Sequence, residues 1–353
     1  VGDRQKIFDD GGGMIRQGDR AQKNYRRSET LPNAKRSIMS SGLVAIIILN
    51  WNGMNDTIEC LQSITKITYP NYKIVVVDNA SEDGSCEEIR NRFPQVQIIK
   101  NAKNLGFAEG SNVGIRQGIE MGCEYVLLLN NDTIVEQDFL SPLVHIAEIK
   151  PNAGMVGPKI IDYYSGKIQF AGGLINKMNF RNPFVSRGVG REDDHQQFDS
   201  PRNCEWLTGC CLLIPANVLL DVGLFNPSFF AYCEDVDLSL RMRTSGYDLV
   251  YCPESCIRHK GGASSGGPMS PLSFYLSTRN KISIIKLYFT FLDKYIHLIF
   301  LYFLYPFCVL GYCLIKNNFS LLGPLYHALS YHVLLREQDG YLESYLTYLT
   351  KQK

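Results

Sequence analysis

Four places along this 353-residue chain hold side chains that could do chemistry. Asp78 closes one apolar run, and Asn130, Asn131 and Asp132 close another. A hard divalent cation bridging a diphosphate takes oxygen ligands fixed on a turn, and a strand end supplies such a turn. Asp132 is the carboxylate placed for that task. Any one of these Asp or Asn residues equally suits the capping of a turn, and only their convergence on one edge favours the ligand reading. Glu234, Asp235 and Asp237 crowd together after Phe229, Phe230 and Tyr232, with Arg241 and Arg243 downstream. Crowded carboxylates raise one another's pKa, which suits a general base. Acids in a first helical turn also complement the helix dipole, and the residues alone leave the two readings level. His259 stands among Gly261, Gly262, Ser264 and Ser265. That composition predicts a flexible loop, either closing a metal or phosphate contact over a ligand or leaving the imidazole in solvent.

The elements that must position these groups follow from hydrophobic period. Val44 to Leu49 is a continuous apolar run too short for a helix, followed by the turn-forming Asn50, Trp51, Asn52 and Gly53. Asp56 with Glu59 predicts a capping box, and Ile58, Leu61 and Ile64 recur at helical spacing behind it. Ile74–Val77, Val96–Ile99 and Tyr125–Leu129 read as further strands, and Cys86–Phe93 and Phe107–Met121 as the helices between them. Strands apolar on both faces that alternate with helices predict an α/β fold with a mostly parallel central sheet. Right-handed crossovers then gather the loops after Asn50, Asp78, Lys100 and Asn130 on one edge, where open α/β sheets bind ligands. Beyond Pro151 the pattern loosens into short strands at Gly154–Ile161, Phe170–Ile175 and Leu207–Ile214, a polar loop over Arg181–Asn203, and a helix over Asp235–Thr244 closed by Gly246.

Composition narrows the class. With 45% apolar and 20% charged residues, the chain is neither wholly disordered nor a many-pass membrane protein. Its net charge of +1 argues against bulk binding to nucleic acid. Residues 1–42 hold nine basic and five acidic side chains, a Gly11–Gly13 run and no hydrophobic period, as in a disordered leader. Eleven cysteines without paired CxxC spacing, and no apolar secretory stretch at the start, predict reduced thiols in a cytoplasmic compartment.

Taken together, the motifs resemble family 2 glycosyltransferases, most closely the bacterial rhamnosyltransferase-like members with the GT-A nucleotide-sugar-binding fold. The resemblance rests on the strand and loop Ile46 to Asn52, VVVDNASEDGS from Val75, NLGFAEGSNVGI from Asn104, LLLNNDT from Leu127 and EDVDLSLRMRTSGY from Glu234. It covers Leu43 to Lys286, so the chain divides into the leader (1–42), a glycosyltransferase body (43–288) and a C-terminal region of hydrophobic helices (289–353). The resemblance implies that Asp78 binds the donor's base beside the backbone of Asn50 and Trp51, and that Asn104, Gly106 and Phe107 border the nucleotide. Asn130, Asn131 and Asp132 stand where the family has its DxD motif, and Asn130 departs from it, leaving Asp132 as the carboxylate for Mg²⁺ or Mn²⁺. His259 matches a histidine that approaches the metal or diphosphate. Glu234 and Asp235 match the catalytic ED pair, with Asp235 as base, and the strand from Thr208 precedes the acceptor site. The activity implied is inverting transfer from a nucleotide-sugar donor, dTDP-rhamnose first and UDP-galactofuranose or UDP-GlcNAc as alternatives, to a glycan or lipid-linked saccharide. A binder of the same fold without turnover is the reading from another class. A nucleotidyltransferase would need a basic phosphate-binding loop, and Asn50 to Asn55 contains no basic residue.

Tyr295 to Ile315 is free of Asp, Glu, Lys and Arg and bracketed by Lys294 and Lys316. As a helix of 1.5 Å per residue it is about 31 Å long, enough to cross a bilayer core. His297, the helix-kinking Pro306 and a cluster of aromatics favour instead a peripheral or re-entrant helix holding the protein on the cytoplasmic face of the membrane. The alternatives are a buried helical pair or an interface in a homo-oligomer.

Overall fold

The apolar run from Val44 becomes the middle of the sheet. The computed structural model describes residues 42–193, 197–261 and 270–333. In it β1 (Val44–Asn50) pairs in parallel with β2 (Tyr72–Asp78) on one side and β4 (Tyr125–Asn130) on the other. A strand covered on both faces must be apolar throughout, and Val44 to Ile48 are at most 1% exposed. β3 (Gln97–Lys100) extends the sheet beyond β2. The crossovers are α1 (Met54–Ile64), α2 (Ser85–Arg92) and α3 (Gly106–Glu120). The strands end at Asn50, Asp78, Lys100 and Asn130, the positions nominated by sequence, and the register sets Asn50 beside Asp78 and Leu49 beside Asn130.

α3 lies close on the sheet because one of its faces is bare. Gly110, Gly114 and Gly118 recur every fourth residue, and a β-carbon on them would strike Leu49, Ile47 and Ala45. These are alternate residues of β1, so the helical and strand periods meet face to face. α1 starts differently from expectation. Its N-cap is Gly53 with no side-chain cap. The Met54 N–H donates to Asp83 Oδ2 at 2.9 Å, while Asp56 and Glu59 both turn to Lys260, Asp56 at 2.6 Å. The predicted capping box is therefore an ion-pair site, because a lysine ammonium outcompetes the helix's own N–H groups for these carboxylates.

The second half completes the sheet. It comprises β5 (Thr133–Val135), α4 (Leu140–Ile149), β6 (Ala153–Asp162), β7 (Ile168–Phe170), β8 (Gly173–Ile175), β9 (Phe184–Ser186), β10 (Arg202–Asn203), β11 (Cys211–Pro215), α5 (Ala216–Val222), α6 (Glu234–Thr244) and β12 (Asp248–His259). The order is β10-β12-β6-β11-β4-β1-β2-β3, with β11 antiparallel to both neighbours and β8 pairing with β9 apart. The strand expected over Leu207–Ile214 begins only at Cys211, after irregular backbone at Leu207 and Thr208 and a turn at Gly209 and Cys210. β12 was not legible, because Pro253 lies inside it and the pairing with β6 slips between Cys252 and Cys256. His259 accordingly ends a strand rather than sitting in a flexible loop, which corrects the expectation from its glycine and serine neighbours. Residues 1–41, Gly262, Ser264, Ser265 and residues 334–353 lie outside the described residues.

α7 (Pro271–Tyr288) packs against α6, with α10 (Leu322–Val333) against it. Between them α8 (Phe291–Ile299), a π turn (Phe300–Leu304) and α9 (Tyr305–Lys316) form one rod of 26 residues. The wide turn directly precedes Pro306, whose missing N–H a regular helix would have needed. Every fourth residue of the rod from His297 to Cys313 is buried: His297, Leu301, Tyr305, Val309 and Cys313. The stripe is narrow, and only 22% of the rod's most apolar stretch is covered. Phe303, Phe307 and Ile315 stand 68–83% exposed. His297 fastens the rod to the body, with Nε2 2.8 Å from the Lys177 carbonyl and its ring edge-on to Phe180 and Phe289.

Candidate active site

A cavity of about 660 Å³ opens where the strand ends meet α6, α7 and α9. On the sheet side it is walled by Trp51, Asn104, Gly106 and Phe107, then by Asn130, Asn131 and Asp132. Glu234 and Asp235 line it as well, and so does His259, which stands beside Asp132. Asn50 and Asp78 are brought together but are not among its walls. Both are fully buried, with Asn50 Nδ2 donating to Asp78 Oδ1 at 2.9 Å and to Ser85 Oγ at 2.8 Å. The Ser81 N–H donates to Asp78 Oδ2 at 3.0 Å, so the pair braces the first two strand-end loops. The next residue, Asn79, reaches the cavity instead; its amide donates to the Gly106 carbonyl at 2.9 Å. Asn131 spends its amide on Thr57 Oγ1 at 3.0 Å.

Asp132 and His259 meet because β5 turns back from β4 and pairs with β12. Asp132 Oδ1 lies 3.1 Å from His259 Nε2, and the Asn130 amide 3.4 Å from the same nitrogen. Nδ1 lies 2.8 Å from Gln169 Oε1, an acceptor, which fixes the proton on Nδ1 and aims Nε2 at Asp132. Burial disfavours the imidazolium, yet the Cys210 sulfur and the Asp132 carboxylate beside it push His259 up to about 11. Burial likewise works against the Asp132 carboxylate, but the His259 partner holds it below its usual range. Among the described residues no three His, Cys, Asp or Glu side chains gather as a closed metal cage. One carboxylate and one ring-fixed imidazole fit a divalent cation that would take the place of the Nε2 proton, with phosphate oxygens and water in its other positions.

Asp235 sits in the first turn of α6. Its Oδ2 accepts from the Gly209 N–H at 2.9 Å and its Oδ1 from the Val236 N–H at 2.8 Å. Burial still raises its pKa against these bonds. Glu234 is raised well above the usual carboxylate range, by burial and then by Asp235, and its Oε2 has no hydrogen-bond partner among the described residues. Asp237 is different: Arg241 Nε lies 2.9 Å from Oδ2 and the Tyr288 hydroxyl donates to Oδ1 at 2.6 Å. The structural reading of the acidic cluster therefore applies to Asp237, while Glu234 and Asp235 face the cavity.

The loop that delivers this pair is strained and clamped. Phe230, Tyr232 and Cys233 all have positive φ, 62°, 70° and 67°, a conformation that non-glycine residues avoid. Arg279, 1% exposed, donates through Nη2 to the Ser228 and Phe229 carbonyls at 2.8 and 2.9 Å. The Asn280 amide lies 2.6–2.9 Å from the carbonyls of Phe229, Ala231 and Tyr232. Sequence reasoning missed both, although an Arg-Asn pair next to Ile282, Ile284 and Ile285 in a largely apolar helix was a signal that buried polar partners existed. It missed Gln169 and Gly209 as well, whose roles exist only in three dimensions.

A mostly parallel α/β sheet with a cavity at its strand ends is the architecture of the GT-A fold. The description "Glycosyltransferase like family 2" matches residues 41–281, and the chain belongs to that family. It is 29% identical over 229 residues to the N-acetylglucosaminyl-diphospho-decaprenol L-rhamnosyltransferase of Mycobacterium tuberculosis, covering 60% of this chain and 75% of that protein. The mannosyltransferase PcManGT of Pyrobaculum calidifontis, solved with GDP-Man and Mn²⁺, superposes with a TM-score of 0.52 at 16% identity, covering 92% of this chain and 88% of its own. GalNAc-T7, solved with UDP, GalNAc and Mn²⁺, gives 0.57 at 15% identity over 71% of this chain, which spans about half (48%) of that structure. The two solved structures share the GT-A fold with this chain.

Proposed function

We propose that the chain is an inverting rhamnosyltransferase that moves the sugar from a nucleoside diphosphate, dTDP-rhamnose first, to a hydroxyl of a lipid-linked saccharide in cell-surface polysaccharide synthesis. The observation that carries this is Asp235, a buried carboxylate of raised pKa held by two backbone N–H groups in the same cavity that Asp132 and His259 line. Asp235 removes the proton of the acceptor hydroxyl, which attacks the anomeric carbon in line with the departing nucleoside diphosphate, so that a single displacement inverts the configuration. Burial and the neighbouring Asp235 raise Glu234 well above the usual carboxylate range, which favours its neutral form and leaves the base's part to Asp235. Asp132 and His259 hold Mg²⁺ or Mn²⁺, which supplies Lewis-acid neutralisation of the leaving diphosphate when bound. Asn104, Gly106 and Phe107 border the nucleotide, and Asn50 with Asp78 shape the base pocket from below.

The likeness to a relative named for L-rhamnose transfer onto a diphospho-decaprenol supports this donor and acceptor. The exposed apolar flanks of the Phe291–Lys316 rod support contact with a lipid surface, since exposed apolar patches mark interaction sites. Release of dTDP from dTDP-rhamnose tests the activity, and a thermal-shift panel tests the donor, because a ligand of the folded state raises Tm with occupancy. Equal shifts from dTDP and UDP sugars remove rhamnose as the favoured donor. Recovery of the protein in the soluble fraction without detergent removes the membrane part of the reading, and release by alkaline carbonate supports a surface helix.

A further inference from the structure

The cavity carries both signs of charge. Besides Asp132, Glu234 and Asp235, its walls include Lys281 of α7 and Arg181 of the segment before β9. The acids have their parts in the reaction above, and the cations have none. Lys281 Nζ donates to the Arg181 carbonyl at 2.8 Å and lies 5.8 Å from the centre of the Tyr305 ring, which leaves ammonium N–H groups unused. Among the described residues neither Lys281 nor Arg181 forms an ion pair, whereas Lys159 and Lys260 each hold two carboxylates. Burial holds the Lys281 ammonium below the usual lysine range; Cys233 opposes the shift and the charge of Arg181 adds to it. Lys281, half-buried beside the exposed Arg181, is an ammonium partly withdrawn from water next to a second positive charge, a placement that an anion joining the two would relieve.

A phosphate group could reach these cations from the donor or from the acceptor. The donor's diphosphate already has a place at Asp132 and His259. Tyr305 belongs to the rod, whose neighbouring Phe303 and Phe307 are exposed and apolar, so the cationic wall borders the surface that suits lipid. Cys233, two residues before Asp235, lies close enough to Lys281 to feel its charge. An anion gripped here therefore has its sugar toward the base and its lipid toward the rod. Resting on the reading of the chain as a transferase for a lipid-linked acceptor, we infer that Arg181 and Lys281 grip the phosphate or diphosphate that joins the acceptor saccharide to its lipid, with the Tyr305 side of the rod as the start of the lipid's path.

Farnesyl diphosphate in detergent is the probe, titrated into the full chain in EDTA so that no metal draws diphosphate to Asp132. Wild type binds it, and farnesol does not displace it. Arg181→Gln, at an exposed position, and Lys281→Met, which keeps the side-chain volume, each weaken binding by about tenfold or more, the scale of a lost charge-assisted contact. Inorganic pyrophosphate binds more weakly than farnesyl diphosphate and loses affinity in the same variants, while affinity for dTDP in Mn²⁺ is retained. Variants that bind farnesyl diphosphate as wild type does overturn the inference, and so does a parallel loss of dTDP affinity, which assigns the cations to the donor. Failure of the underlying reading looks different: wild type then releases no nucleoside diphosphate from dTDP or UDP sugars.

Discussion

The two halves of the cavity treat their polar groups in opposite ways. Around β1 and β2, Asn50, Asp78, Ser81, Ser85 and Thr57 satisfy one another without exposure to a ligand. On the α6–α7 side, Glu234 Oε2 and Arg279 Nη1 are buried without hydrogen-bond partners among the described residues, and Lys281 has no counterion among them. A self-completed network costs nothing to leave alone and gives a rigid platform. An incomplete one is tolerated only where the surrounding structure holds it, and it gains most when a substrate arrives. Substitutions on the strand-end side should therefore act on stability, and those on the α6–α7 side on turnover.

The largest effect expected is at Asp235. Asp235→Asn fills the same volume but accepts no proton, so kcat should fall by ~10²–10⁴-fold with nucleotide affinity kept. An Asn variant with near wild-type rates would move the base to Glu234. Asn280→Asp places a carboxylate against three carbonyls and should cost about 1–3 kcal/mol of stability. Because the clamped loop leads into Asp235, kcat should drop more than the KM for donor rises, and equal changes in both would make Asn280 a purely structural residue. Gly114→Ala is the converse test on the other side. Its β-carbon meets Ile47, and overpacking of about 1–3 kcal/mol should outweigh the gain in helix propensity of about 1 kcal/mol, read by denaturant unfolding with kcat intact.

A subtler contrast comes from pH. The folded pKa of Glu234 lies well above its unfolded value near 4.5, so between the two the folded state holds a proton that the unfolded chain has released. Stability from this group is full below pH 4.5 and declines as pH rises toward the folded pKa. Glu234→Gln removes that decline: its Tm should exceed wild type at pH 8 and the gap should close at pH 4, and a gap independent of pH would contradict the buried acid. Smallest is Asp293→Asn, which breaks a solvent-screened pair with Lys177 and should leave the Tm close to that of wild type.

The same division decided what was legible in the sequence. β1, β2 and β4 announce themselves because each is an unbroken apolar run ended by Asn or Asp, and the chemistry of their loops follows from that punctuation. Asp132, Asp235 and His259 could be named from their motifs. That Asn50 and Asp78 would lie beneath the cavity could not, since burial depends on neighbours more than twenty residues away. β12 was hidden by Pro253, and Arg181 lies in a polar stretch that looks like any other loop. Only folding shows that it and Lys281 share a wall.

The π turn before Pro306 has a consequence for the rod as a whole. Such a turn amounts to one extra residue in a helix, and each residue advances an α-helix by about 100°. Deleting a single residue between Phe300 and Leu304 would restore a regular winding and rotate everything beyond it by that angle. Tyr305 would swing off the cavity wall while Phe307 and Ile315 turned to other bearings. The azimuth of the greasy face relative to the sugar-transfer chamber is thus geared by one surplus residue.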